Sequence, residues 1–146
     1  MTVTQTVPTR VELEDARVLL VDDEENVLSG LRRQLRGHVE VETATDPREA
    51  LRLIEEQPAF AVVISDMRMP DMNGAALLQR CKERSPNTVR MLLTGYADVE
   101  AAVAAVNDGQ IFRFLWKPCP PDQLMGAIRD AVGQYRLVTA EKELLE

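Results

Sequence analysis

Four short apolar segments of this 146-residue chain each run into residues that can handle a phosphate or a metal ion. Arg17-Val18-Leu19-Leu20-Val21 leads into Asp22-Asp23, and Phe60-Ala61-Val62-Val63-Ile64-Ser65 leads into Asp66. Val89-Arg90-Met91-Leu92-Leu93 ends on Thr94, and Ile111-Phe112-Arg113-Phe114-Leu115-Trp116 ends on Lys117-Pro118. In an open parallel α/β sheet, ligands occupy the crevice at the carboxyl ends of the strands. Three carboxylates, a hydroxyl and an ammonium would therefore meet at one edge. Two like charges ~4 Å apart repel by about 1 kcal/mol in water and about 4 kcal/mol at an effective dielectric of 20, so such a cluster opposes folding until something neutralises it. All-oxygen ligands select a hard cation such as Mg²⁺. With the metal bound, one carboxylate can attack a phosphoryl donor and form an acyl phosphate. The metal and the ammonium balance charge on the phosphoryl oxygens, and a hydroxyl such as that of Thr94 can bond one of them. Each residue alone has a plainer role: Asp22-Asp23 as a helix cap, Lys117 as a solvated strand end, Thr94 as a helix start. Their joint placement carries the inference.

The elements that must position these groups alternate strand and helix, the pattern of βαβ units on a parallel sheet. After the first strand, Val27, Leu28, Leu31 and Leu35 share one helical face, and Gly37 is placed to end it. Residues 39–43 form a short second strand. Asp46-Pro47-Arg48-Glu49 reads as a helix start, with a capping Asp, Pro at the first helical position and Glu three residues after the cap. Residues 69–74 form a loop before a helix burying Leu77, Leu78 and Cys81. Asp98 is placed to cap a fourth helix whose apolar residues are Val99, Ala102, Val103 and Val106, and Pro120-Pro121 opens the last helix. Five such units predict an α/β fold, a five-stranded parallel sheet that is flavodoxin-like and doubly wound in the order 2-1-3-4-5, with an extended C-terminal helix.

In that last helix Leu124, Ile128, Ala131, Tyr135, Val138, Lys142 and Leu145 recur at alternating steps of four and three, the seam spacing of a coiled coil. The first four can face the sheet. Val138 and Leu145 are read as having no sheet left to cover, which suggests a dimer seam, a linker to a second domain, or a polar tail. The expected organisation is a flexible N-terminal segment at 1–15, a domain at 16–136, and a helical extension or linker toward a possible output domain at 137–146.

Apolar residues make up 45% of the chain, enough for one core at this length. The formal net charge of −7 disfavours a direct nucleic-acid footprint. No apolar run reaches the ~18–20 residues of a membrane span, and the Thr-rich residues 1–10 do not read as a signal peptide. Cys81 and Cys119 lack metal-ligand spacing and read as reduced thiols, so a cytoplasmic location is expected.

From about Arg17 to Tyr135 the chain resembles a receiver domain of the bacterial two-component response regulators. The segments that carry the resemblance are Val-Asp-Asp-Glu at 21–24, Ser-Asp-Met-Arg-Met-Pro-Asp-Met-Asn-Gly at 65–74, Leu-Thr-Gly-Tyr at 93–96 and Trp-Lys-Pro at 116–118. The resemblance implies that Asp66 is the phosphoacceptor, phosphorylated by a sensor histidine kinase or phosphotransfer protein. It implies that Asp23, Asp66 and the backbone carbonyl of Arg68 bind Mg²⁺, with Asp22 assisting through a metal-bound water. Thr94 and Lys117 would contact the phosphoryl group, and the Lys117-Pro118 bond would be cis. Phe114 would be the aromatic switch residue that turns inward as Thr94 moves; lacking a hydroxyl, it is expected to populate the inward rotamer even without phosphate. Arg68 and Tyr96, two residues beyond Asp66 and Thr94, would flank the hydrolytic water and slow loss of the phosphoryl group.

The implied output surface is the face made by the fourth helix, fifth strand and fifth helix, to which Ala101, Ala104 and Ala105 would offer close approach; a homodimer could use that face or the C-terminal helix. Leu-Thr-Gly-Tyr-Ala-Asp and the segment from Asn107 to Pro118 resemble a narrower group fused to HD-type cyclic-dinucleotide phosphodiesterase domains or to enhancer-binding activators, and nothing in these residues chooses between the two. A haloacid-dehalogenase-type phosphatase fits less well, because the adjacent Asp22 and Asp23, with Glu24 following, do not keep its spacing of acids. A flavin module would need a Ser/Thr/Gly-rich phosphate loop where Asp-Asp-Glu-Glu stands.

Overall fold

The computed structural model of the protein describes residue 13 and residues 15–145, with side chains for all of these except 141–143 and 145. Strands β1 (Arg17–Val21), β2 (Glu40–Ala44), β3 (Val62–Asp66), β4 (Val89–Thr94) and β5 (Arg113–Trp116) alternate with helices α1 (Glu25–Leu35), α2 (Pro47–Glu56), α3 (Gly74–Arg84), α4 (Val99–Asn107) and α5 (Pro121–Leu145). The strands form one parallel sheet in the order β2-β1-β3-β4-β5, as expected. Every residue of β3 is buried, as a central parallel strand covered on both faces requires. Register pairs Val21 with Ser65, Asp66 with Leu93 and Thr94 with Trp116, so the residues that follow these positions emerge at one edge.

Two cores lie on opposite faces of the sheet. One packs Leu28, Leu31 and Leu35 of α1 with Leu124, Ile128, Ala131 and Val132 of α5 against Val18, Leu20 and Ile64. The other packs Leu53 and Ile54 of α2, Leu77, Leu78 and Cys81 of α3, and Ala102 and Ala105 of α4 against Leu19, Val63 and Leu92. Burial pushes the Cys81 thiol up to about 11, which keeps it an unreactive thiol. The Asp46 side chain accepts from the Glu49 amide with Pro47 at the first turn, and Asn73 likewise caps α3 by accepting from the Ala76 amide. Gly37 stands just past α1 at φ +83°, a left-handed position that glycine occupies without strain.

Several local expectations shift. The second strand runs from Glu40 to Ala44, one residue later than read. In α4 the buried residues are Ala102 and Ala105, while Val103 is exposed, so Ala105 faces the core and cannot belong to an outward surface. The reason is that α4 is apolar nearly all round, and periodicity cannot choose the buried side of such a helix. Asp98 directly precedes α4 but accepts no helix amide; its carboxylate is bonded elsewhere, as described below.

On α5, Val138 lines a cavity with Pro86, Phe112 and Gln134 at the opposite end of the sheet from Asp66, so it does cover the domain. The exposed apolar residues of that extension are Leu137 and Leu144. Lys142 and Leu145 lie outside the described side chains, and residues 1–12 and 14 of the expected lead-in lie outside the described residues. Leu13, also in that segment, packs in the core with Ala16 and Leu35. Among the described residues no helix is long and apolar enough to cross a membrane.

Candidate functional site

Asp22 leaves β1 into the interior, and its Oδ1 accepts the Glu24 amide at 2.9 Å, which fixes the carboxylate at the start of α1. Asp23 faces outward. Asp66 is the last residue of β3 and is buried. One carboxylate oxygen from each of Asp22, Asp23 and Asp66 lies within 4.8 Å of the others. Lys117, just past β5, reaches across the strand ends and places its Nζ 3.2 Å from Asp22 Oδ2 and 3.2 Å from Asp66 Oδ1. The Lys117-Pro118 peptide bond is cis, as expected.

Three carboxylates thus face one ammonium. Desolvation, then the charge of Asp22, pushes the Asp66 carboxyl above its ordinary value, against the pull of Lys117 and of a hydrogen bond from the Arg68 backbone. Burial works to lower Lys117, but its bonds to Asp66 and Asp22 and their charges prevail, so it stays protonated more firmly than a free lysine. The donor set is all oxygen and negative in excess, which suits a hard divalent cation and not a thiolate- or imidazole-seeking metal.

Gly74 governs how closely α3 approaches this site. A Cβ there would lie 2.2 Å from the Asp66 carbonyl oxygen and 2.8 Å from Leu92 Cδ2, so no other residue fits without displacing the backbone behind Asp66.

Thr94 ends β4 fully buried, but its Oγ1 donates to the neighbouring Gly95 carbonyl at 3.2 Å and not to the acidic cluster. Phe114 is half-buried against the α3–α4 core and meets Trp116 edge-on, with ring centroids 5.5 Å apart. Tyr96 is exposed and stacks on Trp116, with ring centroids 4.6 Å apart. Arg68 turns away from Asp66: its Nε donates to Asp98 Oδ2 at 2.8 Å. Between these loops opens a cavity of about 550 Å³, walled by Asp23, Arg68, Met69, Asn73, Asp98 and Ala101. The Arg68–Asp98 pair and the Tyr96–Trp116 stack were not legible in the sequence. The paired residues lie 30 and 20 positions apart, on connections and a strand end whose approach only the fold defines.

The family model described as the response regulator receiver domain matches residues 18–129. Among curated relatives, the hydrogenase transcriptional regulatory protein HoxA of Bradyrhizobium diazoefficiens is 38% identical over 82% of this chain and 24% of its own length. The transcriptional regulatory protein GlrR of Escherichia coli is 37% identical over 87% of this chain and 28% of its own. The chain therefore spans about a quarter of the curated relatives it matches. A solved structure named as adenylate cyclase from Rhodopirellula baltica superposes with a TM-score of 0.88 at 44% identity, covering 90% of this chain and 97% of that one. The signal receiver domain of an HD domain-containing protein from Pseudomonas fluorescens Pf-5 does so at 0.78 and 34%, covering 84% and 98%.

Proposed function

The chain belongs to the response regulator receiver domain family, and on that premise we propose that Asp66 is its phosphoacceptor, charged by the phosphohistidine of a sensor histidine kinase or phosphotransfer protein. The observation that supports this reading best is the ammonium of Lys117 held 3.2 Å from both Asp22 and Asp66 while a third carboxylate, Asp23, stands beside them. A nucleophilic carboxylate needs its charge intact and a cation next to it to receive the incoming phosphate oxygens.

An Asp66 carboxylate oxygen forms the new P–O bond as the donor's P–N bond breaks. The imidazole leaves with that electron pair and, its other ring nitrogen protonated, departs neutral. Asp22, Asp23, Asp66 and the backbone carbonyl of Arg68 are the residues that would hold Mg²⁺. Bound there, it would neutralise phosphoryl charge and relieve the repulsion among the carboxylates. Lys117 supplies a cation already in place. The buried Thr94 hydroxyl must exchange the Gly95 carbonyl for a phosphoryl oxygen, which requires the β4–α4 loop to move inward. Phe114, edge-on to Trp116, is the aromatic residue whose rotamer would follow.

A phosphoryl group carries about −1.5 to −2 charge where one carboxylate charge stood. The resulting coupling, typically about 1–3 kcal/mol, shifts the population of two packed states. The α4–β5–α5 face is the proposed output surface, and a homodimer through it or through the exposed extension of α5 is the proposed assembly. Arg68 and Tyr96 are proposed to slow loss of the phosphoryl group.

The test is intact-mass measurement after acetyl phosphate and Mg²⁺ on wild type and on Asp66→Asn. A gain of one phosphoryl group by wild type and none by the variant is expected; an equal gain by both would remove Asp66 from this role. Size-exclusion chromatography with beryllofluoride reads the assembly in the same preparation.

A further inference from the structure

We propose that Asp98 is a positioning residue for the phosphoryl site: it holds the Arg68 guanidinium away from Asp66 until a phosphoryl group competes for it. This deepens the reading of Asp66 as phosphoacceptor and rests on it. Arg68 is two residues beyond Asp66, on the loop that leaves β3. Its side chain nevertheless leaves the acidic cluster and spans to Asp98, with Nε to Oδ2 at 2.8 Å. The two ends of this pair differ in setting: Arg68 is 72% exposed and Asp98 only 23%. The fixed partner is therefore the carboxylate, and the guanidinium is the end free to swing.

Asp98 is not committed to its helix. It sits at the start of α4 without capping it. In the preceding 3-10 turn (Tyr96–Asp98) it is the Asp98 amide that bonds, to the Gly95 carbonyl. Its carboxylate is thus available to serve Arg68, and that contact ties the loop after β3 to the loop after β4 in the wall of the 550 Å³ cavity.

Charge and geometry favour an exchange once Asp66 is phosphorylated. Asp98 offers one negative charge through a single contact. A phosphoryl group offers about −1.5 to −2 and three acceptor oxygens, which the planar guanidinium fork can take in pairs. When Arg68 transfers, two things follow. The β4–α4 loop loses its tether on the β3 side, and Thr94, four residues before Asp98, can advance with it. The guanidinium also covers one approach to phosphorus. Hydrolysis requires a water oxygen to bond phosphorus as the P–O bond to Asp66 breaks, returning the carboxylate, inorganic phosphate and a proton; Arg68 stands in that path. Asp98, by competing for Arg68, shortens the phosphoryl lifetime.

The test is a double-variant cycle with a spectroscopic readout. Asp98→Asn should lengthen the acyl-phosphate lifetime by about two- to five-fold, the range expected of one exposed ion pair. In an Arg68→Ala background the same substitution should change nothing, and Asp98→Glu should restore the wild-type lifetime. Independently of turnover, the Arg68 Nε–Hε resonance in ¹⁵N NMR should shift on adding beryllofluoride with Mg²⁺. Asp98→Asn alone should move it away from its resting position. If wild type gains no Asp66-dependent phosphoryl mass, the phosphoacceptor reading itself is lost. If it does, but Asp98→Asn acts equally with and without Arg68, or the Arg68 resonance ignores beryllofluoride, the exchange is overturned and the phosphoacceptor stands.

Discussion

Asp23 is the carboxylate whose removal tests the electrostatic account of the site most cleanly. Asp22 and Asp66 are each bridged by Lys117, so replacing either also breaks an ion pair. Lys117 makes no ion pair with Asp23, which is exposed yet within 4.8 Å of both other carboxylates. Asp23→Asn keeps the shape and deletes two repulsions. At 4.8 Å each is worth about 0.9 kcal/mol in a water-like dielectric and about 3.5 kcal/mol at an effective dielectric of 20. Exposure places Asp23 near the first limit, so the metal-free variant should be more stable than wild type by about 1–2 kcal/mol. For a domain of this size that corresponds to a rise in Tm of roughly 3–7 °C. The assay is urea and thermal unfolding in EDTA, followed by Trp116 fluorescence and circular dichroism, then repeated with Mg²⁺. At a tenfold excess over its dissociation constant Mg²⁺ should add about 1.4 kcal/mol to wild type, and much less to the variant, which has lost a ligand. Added salt should shrink the difference seen in EDTA. A variant less stable than wild type in EDTA, or one that gains as much from Mg²⁺, would refute the reasoning.

Gly74→Ala should cost about 2–3 kcal/mol in urea unfolding and lower phosphoryl uptake, because its Cβ would meet the Asp66 carbonyl oxygen at 2.2 Å; an unchanged midpoint would show that α3 can back away. In metal-free protein, ¹³C NMR should find the Asp66 carboxyl titrating above the ordinary 3.8, since burial and Asp22 raise it. The folded state then binds that proton more tightly than the unfolded chain, so the Asp66 contribution to stability grows as pH falls through the folded value, and Asp66→Asn should abolish it. A fluorine label on Phe114 should report an inward environment already in the unphosphorylated protein; a single outward environment that changes only on phosphorylation would contradict this. Amide exchange should be faster in α4 than in α5 up to Val132, and equal protection would contradict the packing argument below.

What could be read from the sequence follows from which forces act locally. The ends of buried parallel strands are announced by apolar runs that stop on a polar residue, so Asp22, Asp66, Thr94 and Lys117 could be set at one edge before any coordinates. The start of α2 was legible for a similar reason: Asp46, Pro47 and Glu49 satisfy a helix end within four residues. Asp98 carried the same cap signal and misled, because a guanidinium from another loop outcompetes a helix amide for its carboxylate. Sequence holds no trace of that contest. Val138 was misplaced because the chain does not reveal how far α5 runs alongside the sheet, and its neighbours Pro86 and Phe112 come from two other connections. The outward face of α4 could be read only in part: Ala101 and Ala104 are exposed as expected, but Val103 and Ala105 change places, because with Val99, Ala101, Ala102, Val103, Ala104, Ala105 and Val106 in one helix nearly every side is apolar.

That ambiguity in α4 has an energetic counterpart that bears on how a signal could leave the site. α5 is anchored through Leu124, Ala127, Ile128, Ala131 and Val132, all buried, while α4 buries only Ala102 and Ala105. Burying a Leu or Ile side chain contributes about 1.5–3 kcal/mol, and each methylene about 0.8 kcal/mol. Two alanine methyls and a partly buried Val106 therefore hold α4 by less than the side chains that hold α5. A coupling of about 1–3 kcal/mol is comparable with the former and small against the latter. The same perturbation at the strand ends can thus re-seat α4 while α5 keeps its place. Further contacts come from its N-terminal loop, by Arg68 on Asp98 and by Trp116 on Tyr96. Both contacts originate within two residues of Asp66 or Lys117. The weakest-packed helix is tied at one end to the residues that a phosphoryl group would rearrange, which fits a proposed response carried by α4.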